Sequence, residues 1–289
     1  MFHLENDKLK VAIDSKGAEL KSVVHKGHGL EYMWGADPAF WAKTSPVLFP
    51  IVGQLKDNTY RHNGNSYQLP RHGFARDKEF MVVKQDDHHI LFSLQCNDET
   101  LPVYPFEFTF YVAYLLEGDE LSVTYRVQNT GGTDMFFSVG GHPAFRVPLA
   151  NGTAYADYRL RFNKTETAGR WPITAGGQIG AAPAPFLRNT DVLPLAKSLF
   201  EKDAIVLKHL QSDEVRLESD KTPHGLRFSF TGFPYLGLWA APGADFVCIE
   251  PWCGIADSTD ADGELAHKEG INKLAPTETF SATWKVQFY

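Results

Sequence analysis

The chain has 289 residues, a formal net charge of −7 and a sequence pI near 5.9. That acidic balance argues against nucleic acid as a partner, which would call for a basic patch. No window approaches the roughly 18 apolar residues of a membrane span. The opening stretch MFHLENDKLKVAID is charged and reads as no signal peptide. Three cysteines, Cys96, Cys248 and Cys253, are too few and too oddly numbered for a disulfide framework and fit a reducing cytoplasm. Cys248 and Cys253 lack CxxC spacing and have no second pair, so no metal site is expected.

Period-two alternation dominates the chain. NDKLKVAID predicts a short strand near the start. In DPAFWAKTS, Asp37 as N-cap and Pro38 at the first helical position predict one short helix. HHILFSLQC is a further strand, with His88 and His89 as exposed turn residues at its entrance. FEFTFYVAYLLEGDE places Phe106, Phe108, Phe110 and Val112 on one face and closes at Gly118. ELSVTYRVQNTG then does the same with Leu121, Val123, Tyr125 and Val127, so the two runs predict a hairpin. Residues 151–185, rich in Ala, Gly, Thr and Pro, are the least patterned and read as long surface excursions. PLAKSLFEKDA suggests a short helical turn. HGLRFSFTG aligns Leu226, Phe228 and Phe230, and TFSATWKVQFY aligns Phe280, Ala282, Trp284, Val286 and Phe288. Many half-polar strands between Gly- and Pro-rich turns predict an all-β protein, a large antiparallel sandwich or barrel, as a single domain over 1–289.

Three stretches set polar groups among glycines, prolines and aromatics: LPRHGFARD, SVGGHPAFRVP and VCIEPWCG. Glu250 follows the apolar run 246–249 and precedes Pro251. A carboxylate at the end of a buried strand needs partners, and burial would make it a stronger base; a turn-capping role is the plain alternative. His142 sits between Gly140–Gly141 and Pro143. Its neutral ring offers one donor and one acceptor, although a turn histidine is also simply structural. His72 lies beside Arg71 and near Arg76, two cations suited to hydroxyls, a carboxylate or a phosphate, or merely surface charge. There is no GxSxG, HExxH, P-loop or strand-linked GxGxxG. A glycosidase would need a second carboxylate opposite Glu250; Asp77, Asp203 and Asp257 are the candidates.

Taken together and in this order, the three stretches resemble the aldose 1-epimerase (galactose mutarotase) family, in particular its smaller bacterial mutarotase-like branch. The opening third, EYMWGADPAFWAKTSPVLFPIVGQLKDNTY to YQLPRHGFARD, is similar to that branch nearly throughout, and the resemblance is weakest around 150–195. It implies a galactose mutarotase-like antiparallel β-sandwich with an open sugar cleft. It implies His142 as general acid, Glu250 as general base, His72 as an orienting histidine and Asp203 as an acceptor for sugar hydroxyls. Phe74, Phe145 and Trp252 would then offer a flat apolar wall. The implied activity is cofactor-free interconversion of the α and β anomers of a hexose, by a monomer or homodimer whose partner is a small sugar. Where many relatives carry a sugar-contacting arginine after FPIVG, this chain has Gln54, which keeps hydrogen bonding but not charge. Arg76 also resembles a feature of relatives acting on hexose 6-phosphates. A hexose-6-phosphate 1-epimerase and a non-catalytic sugar sensor on the same scaffold are therefore the alternatives.

Overall fold

The computed structural model describes all residues, 1–289. Strands dominate, and the helical elements are single 3-10 turns of three or four residues. The alternating runs form the strands they predict. Phe108–Glu117 and Glu120–Asn129 pair antiparallel as the expected hairpin, with Phe108↔Asn129 and Glu117↔Glu120 at its ends. Their apolar faces, including Phe108, Phe110, Val112, Leu121, Val123, Tyr125 and Val127, are buried.

This hairpin sits inside a nine-stranded antiparallel sheet. Its spatial order is Ala184–Pro194, Tyr158–Arg170, Glu214–Ser219, Thr222–Ser229, Thr279–Phe288, Glu120–Asn129, Phe108–Glu117, His89–Gln95, Met81–Gln85. A second sheet runs Ile205–Lys208, Tyr235–Trp239, Phe246–Cys253, Val139–Gly141, Val47–Leu48, with Ala144–Arg146 also paired to Phe246–Cys253. A four-stranded meander, Phe2–Glu5 through Leu30–Glu31, opens the chain.

Aromatic contacts join the two large sheets. Phe145 meets Phe228 at 6.0 Å between ring centres, and Phe49 stacks on Phe110 at 4.6 Å. These belong to one cluster of 71 buried residues. At its centre the Trp284 indole N–H donates to the Tyr125 hydroxyl at 2.9 Å. Gly141 of the second sheet lies directly on that pair. A Cβ there would stand 2.7 Å from Tyr125 Oη and 3.1 Å from Trp284 Nε1. Gly140 is equally confined, against Trp252 and the Pro251 carbonyl. The glycines before His142 are thus required by close approach to the core.

Two expectations are corrected. Asp37–Trp41 is one turn and no helix: Phe40 N and Trp41 N donate to Asp37 O, and Asp37 Oδ1 accepts from Ala39 N. The turn is not propagated, and three residues beyond it Thr44 N and Ser45 N donate to the buried Glu19 carboxylate at 2.6 and 3.0 Å rather than to carbonyls one turn back. Residues 151–185 are not surface excursions. They contain the whole of the thirteen-residue strand Tyr158–Arg170, which pairs with Ala184–Pro194 through several register shifts. Those bulges break the two-residue period that would have revealed it.

Gly141→Ala is expected to lower stability by about 1–3 kcal/mol, the usual range for forcing an extra carbon into a packed core. Urea unfolding of the variant against the native chain measures it.

Candidate active site

The register of the second sheet brings the site together. Around Phe246–Cys253, Gly140 is opposite Trp252 and Ala144 is opposite Cys248. The residues midway between these pairs are His142 and Glu250, one across from the other. Pro143 carries no amide hydrogen, so the ladder opens locally. The His142 amide instead donates to Pro46 O at 3.1 Å. His142 Nε2 then stands 3.3 Å from Glu250 Oε2. On its other side Glu250 faces Gly237, which presents no side chain.

Both groups are buried, at 8% and 2% exposure, yet both reach a cavity of about 440 Å³. That volume lies within the usual range of small-molecule sites, about 300–1,000 Å³. Burial pushes the Glu250 carboxyl well above the usual carboxylate value; Arg71 opposes this and Asp203 adds to it. Burial likewise drives His142 down to about 3, with Arg71 and Arg76 acting in the same direction. Each shift favours the neutral form. Together the two shifts bias the pair towards one proton shared between its facing atoms.

His72 is set by a different constraint. Phe74 N and Ala75 N donate to Phe49 O, and His72 N donates to Gly53 O. These bonds strap the 70–77 loop onto the strand Val47–Leu48 and its extension. His72 itself sits at φ 68°, an uncommon conformation for a non-glycine residue. Gly53 N–H donates to His72 Nδ1 at 3.1 Å. In the neutral ring the proton is then on Nε2, and burial, His142 and both arginines keep the ring neutral. His72 presents an N–H donor at the cavity wall, 5.7 Å between ring centres from His142.

Arg71, Arg76 and Asp203 also line the cavity. Arg71 Nη2 lies 3.5 Å from Asp203 Oδ1, and Arg76 Nη2 donates to Arg71 O at 2.9 Å. The Nε atoms of both arginines are buried without a hydrogen bond, although Arg76 Nε lies 3.6 Å from Asp77 Oδ2. Asp203 adopts φ 74°, a second left-handed residue at the rim. Of the remaining carboxylates considered, Asp257 is held by Lys268 at 2.7 Å and Asp77 does not reach the cavity. Gln54 does not line the cavity either. Its amide bonds Asn58, while its carbonyl accepts from Asp257 N.

The aromatic wall differs from the expected one. Trp252 contributes, but Phe145 is wholly in the core and Phe74 does not line the cavity. Trp41 and Trp239 replace them. Trp41 stacks on the His142 ring at 4.9 Å, and Trp239 meets it edge-on at 5.6 Å. Trp41 is hard to find in sequence because the single turn carrying it has no repeating period. Residues 171–183 also reach the site. Trp171 N bonds Val206 O and Ile179 N bonds Asp257 O, which lays Ile173, Gly177 and Ile179 along the cavity. Cys248 was also missed. Its thiol, raised by burial and by Glu250, lies with the His142 and Glu250 ligand atoms within 4.8 Å of one another.

Comparisons with known proteins agree with this architecture. Residues 1–270 match the family model for aldose 1-epimerase. The chain is 35% identical over 296 residues to the chromosomal protein LacX of Lactococcus lactis subsp. lactis, covering 99% of this chain and 98% of that one. A galactose mutarotase related enzyme from Lactobacillus acidophilus superposes with a TM-score of 0.94 at 36% identity, covering 100% and 97% of the two chains. A galactose mutarotase-like protein from Lactobacillus casei ATCC 334 gives 0.92 at 31% identity and covers both chains completely.

A carboxyl whose folded pKa is raised contributes stability below the unfolded value and loses it as pH rises through the folded one. Glu250→Gln removes that loss, because an amide does not ionise. The variant is expected to melt higher than the native chain at mildly alkaline pH, with the gap shrinking towards the carboxylate range. Thermal melts across pH read the sign directly.

Proposed function

Since the chain belongs to the aldose 1-epimerase family, we propose that it interconverts the α and β anomers of a hexose by acid–base ring opening. Glu250 is the base and His142 the acid. One observation carries the assignment: two buried titratable groups face each other at 3.3 Å on a cavity wall.

The reaction uses one proton on the pair. With the sugar bound and the shared proton on His142 Nε2, so that the ring is an imidazolium facing a carboxylate, Glu250 takes the proton of the C1 hydroxyl while His142 Nε2–H protonates the ring oxygen and the ring returns to neutral imidazole. The C1–O5 bond breaks and an open-chain aldehyde forms. Rotation about C1–C2 presents the other carbonyl face. Glu250 then returns its proton to the carbonyl oxygen, His142 takes the proton from the C5 hydroxyl, and the ring closes. The pair begins and ends with one proton, so nothing must be exchanged with solvent. Each correctly positioned group accounts for about 10²–10⁴ in rate. His72 Nε2–H and the arginines donate to sugar oxygens, and Asp203 accepts from hydroxyls. The indoles of Trp41, Trp239 and Trp252 supply apolar surface for the sugar's C–H face.

A phosphorylated hexose is the second reading. Arg71 and Arg76 both line the cavity, and paired guanidinium groups suit phosphate.

Polarimetry of freshly dissolved α-galactose, α-glucose and glucose 6-phosphate tests both readings. The protein is expected to speed decay to the anomeric equilibrium on at least one of them. Sugar binding with no acceleration on any would instead favour a sensor. Glu250→Gln and His142→Asn are each expected to cut kcat by about 10²–10⁴ with the fold intact by circular dichroism; near-native turnover in either would remove the assignment.

The pH profile follows from the shifts. Activity needs one proton on the pair. The acid limb of kcat/KM is expected below the ordinary histidine value of 6.5, because His142 is depressed. The alkaline limb is expected well above the ordinary carboxylate value of 4.5, because Glu250 is raised. An acid limb at the ordinary histidine value would contradict the pairing.

A further inference from the structure

We propose that His142, Cys248 and Glu250 form a binding site for one thiophilic divalent cation, of which Zn²⁺ is the natural type, and that an occupied site withholds the acid–base pair from the sugar. This departs from the expectation that the chain holds no metal.

The geometry comes from the same sheet register. Cys248 and Glu250 are two residues apart on the strand Phe246–Cys253 and so share a face. His142 stands across from Glu250. One ligand atom from each of the three lies within 4.8 Å of the others. The measured 3.3 Å between His142 Nε2 and Glu250 Oε2 also equals the edge of a tetrahedron whose metal–N and metal–O bonds are about 2.0–2.1 Å. The donors are an imidazole nitrogen, a sulfur and a carboxylate oxygen. That set suits zinc or cadmium and suits magnesium or calcium poorly. The fourth position faces the cavity, because His142 and Glu250 line it. A water or a sugar hydroxyl can complete the shell there.

Entry is through the cavity, since Cys248 itself is fully buried. Binding displaces protons only: the thiol gives up its proton, the pair gives up the one it shares, and both go to solvent. No electron moves. Affinity therefore rises with pH. His142 Nδ1 is buried with no acceptor, and a metal-bound histidine normally has one to fix its ring. The site is accordingly expected to bind reversibly and more weakly than a structural zinc centre.

The test reads binding separately from turnover. The full chain is titrated with Cd²⁺ and the ultraviolet sulfur-to-metal charge-transfer absorption is followed. The native chain is expected to saturate at one ion per chain. Cys248→Ala is expected to lose the band, with Cys248→Ser as the near-isosteric substitute should alanine destabilise the fold. Cys96→Ser and Cys253→Ser are expected to keep it, and His142→Ala to weaken it. No saturable band in the native chain, or a band that survives loss of the Cys248 thiol, would overturn the proposal. On a sugar that turns over, Zn²⁺ is expected to abolish the native rate and excess EDTA to restore it. A saturating thiolate band in a chain without mutarotation would sink the proposed reaction and leave this site standing.

Discussion

The antiparallel register about the strand Phe246–Cys253 is the constraint on which the site depends. Gly140↔Trp252 and Ala144↔Cys248 leave no freedom for the residues between them. A one-residue slip would turn Glu250 to the other face of the sheet. The register is held on one side by Gly140 and Gly141, which admit Trp252 and the Tyr125–Trp284 pair too closely for any side chain. It is held on the other side by Tyr235–Trp239, whose Gly237 leaves room beside Glu250. The meeting of an imidazole and a carboxyl is therefore fixed by core packing, far from any flexible loop.

That position is costly and useful for the same reason. Low polarity disfavours charge on either group, so burial raises Glu250 and lowers His142. The shifts carry the two groups past one another, so that the buried carboxylate becomes the stronger base of the pair. An exposed pair would hold the proton on histidine and leave the carboxylate a weak base. The left-handed backbone at His72 and Asp203 adds local strain at the same cavity. Such strain persists only where surrounding bonds overdetermine it, as the Phe49 and Gly53 carbonyls do around His72.

Much of this was legible in the sequence, and the rest was hidden for physical reasons. The Phe108–Glu117 and Glu120–Asn129 hairpin was readable because each strand has one wet face and one buried face, which imposes a clean alternation. Residues 246–249 are readable as buried strand because they are all covered, and Glu250 stands out against that background, whereas the strand's continuation through Pro251 to Cys253 runs against the usual stop signal of a proline. Tyr158–Arg170 was not, because its bulges reset the alternation and its glycine and threonines resemble a loop. Asp37 and Pro38 are sound helix-start signals, but the chain leaves the turn for a distant anchor, the Glu19 carboxylate, which binds the amides of Thr44 and Ser45, 25 and 26 residues downstream of it. Such a capture is tertiary and leaves no local trace. The exchange of Phe74 and Phe145 for Trp41 and Trp239 has the same origin: proximity in sequence to a site residue says nothing about which face of the sheet a ring occupies.

The site divides by rigidity. Glu250 and Cys248 belong to a central strand, and His142 sits in a two-residue connection between strands paired to it. Arg71, His72 and Arg76 lie on a strapped loop, Asp203 on the approach to Ile205–Lys208, and Ile173 to Ile179 on the 171–183 loop. Reacting groups on sheet are held to tighter tolerances than groups on loops, whereas loops accept sequence change with little harm to the core. Under the proposed reaction, substitution at the rim can thus change which sugar is held, or whether it carries a phosphate, without moving His142 and Glu250. Gln54 marks the boundary between the two. Its carbonyl is tied to Asp257, and its side chain turns to Asn58 and away from the cavity. The absence of an arginine there removes a charge beside the rim and leaves the facing pair of His142 and Glu250 untouched.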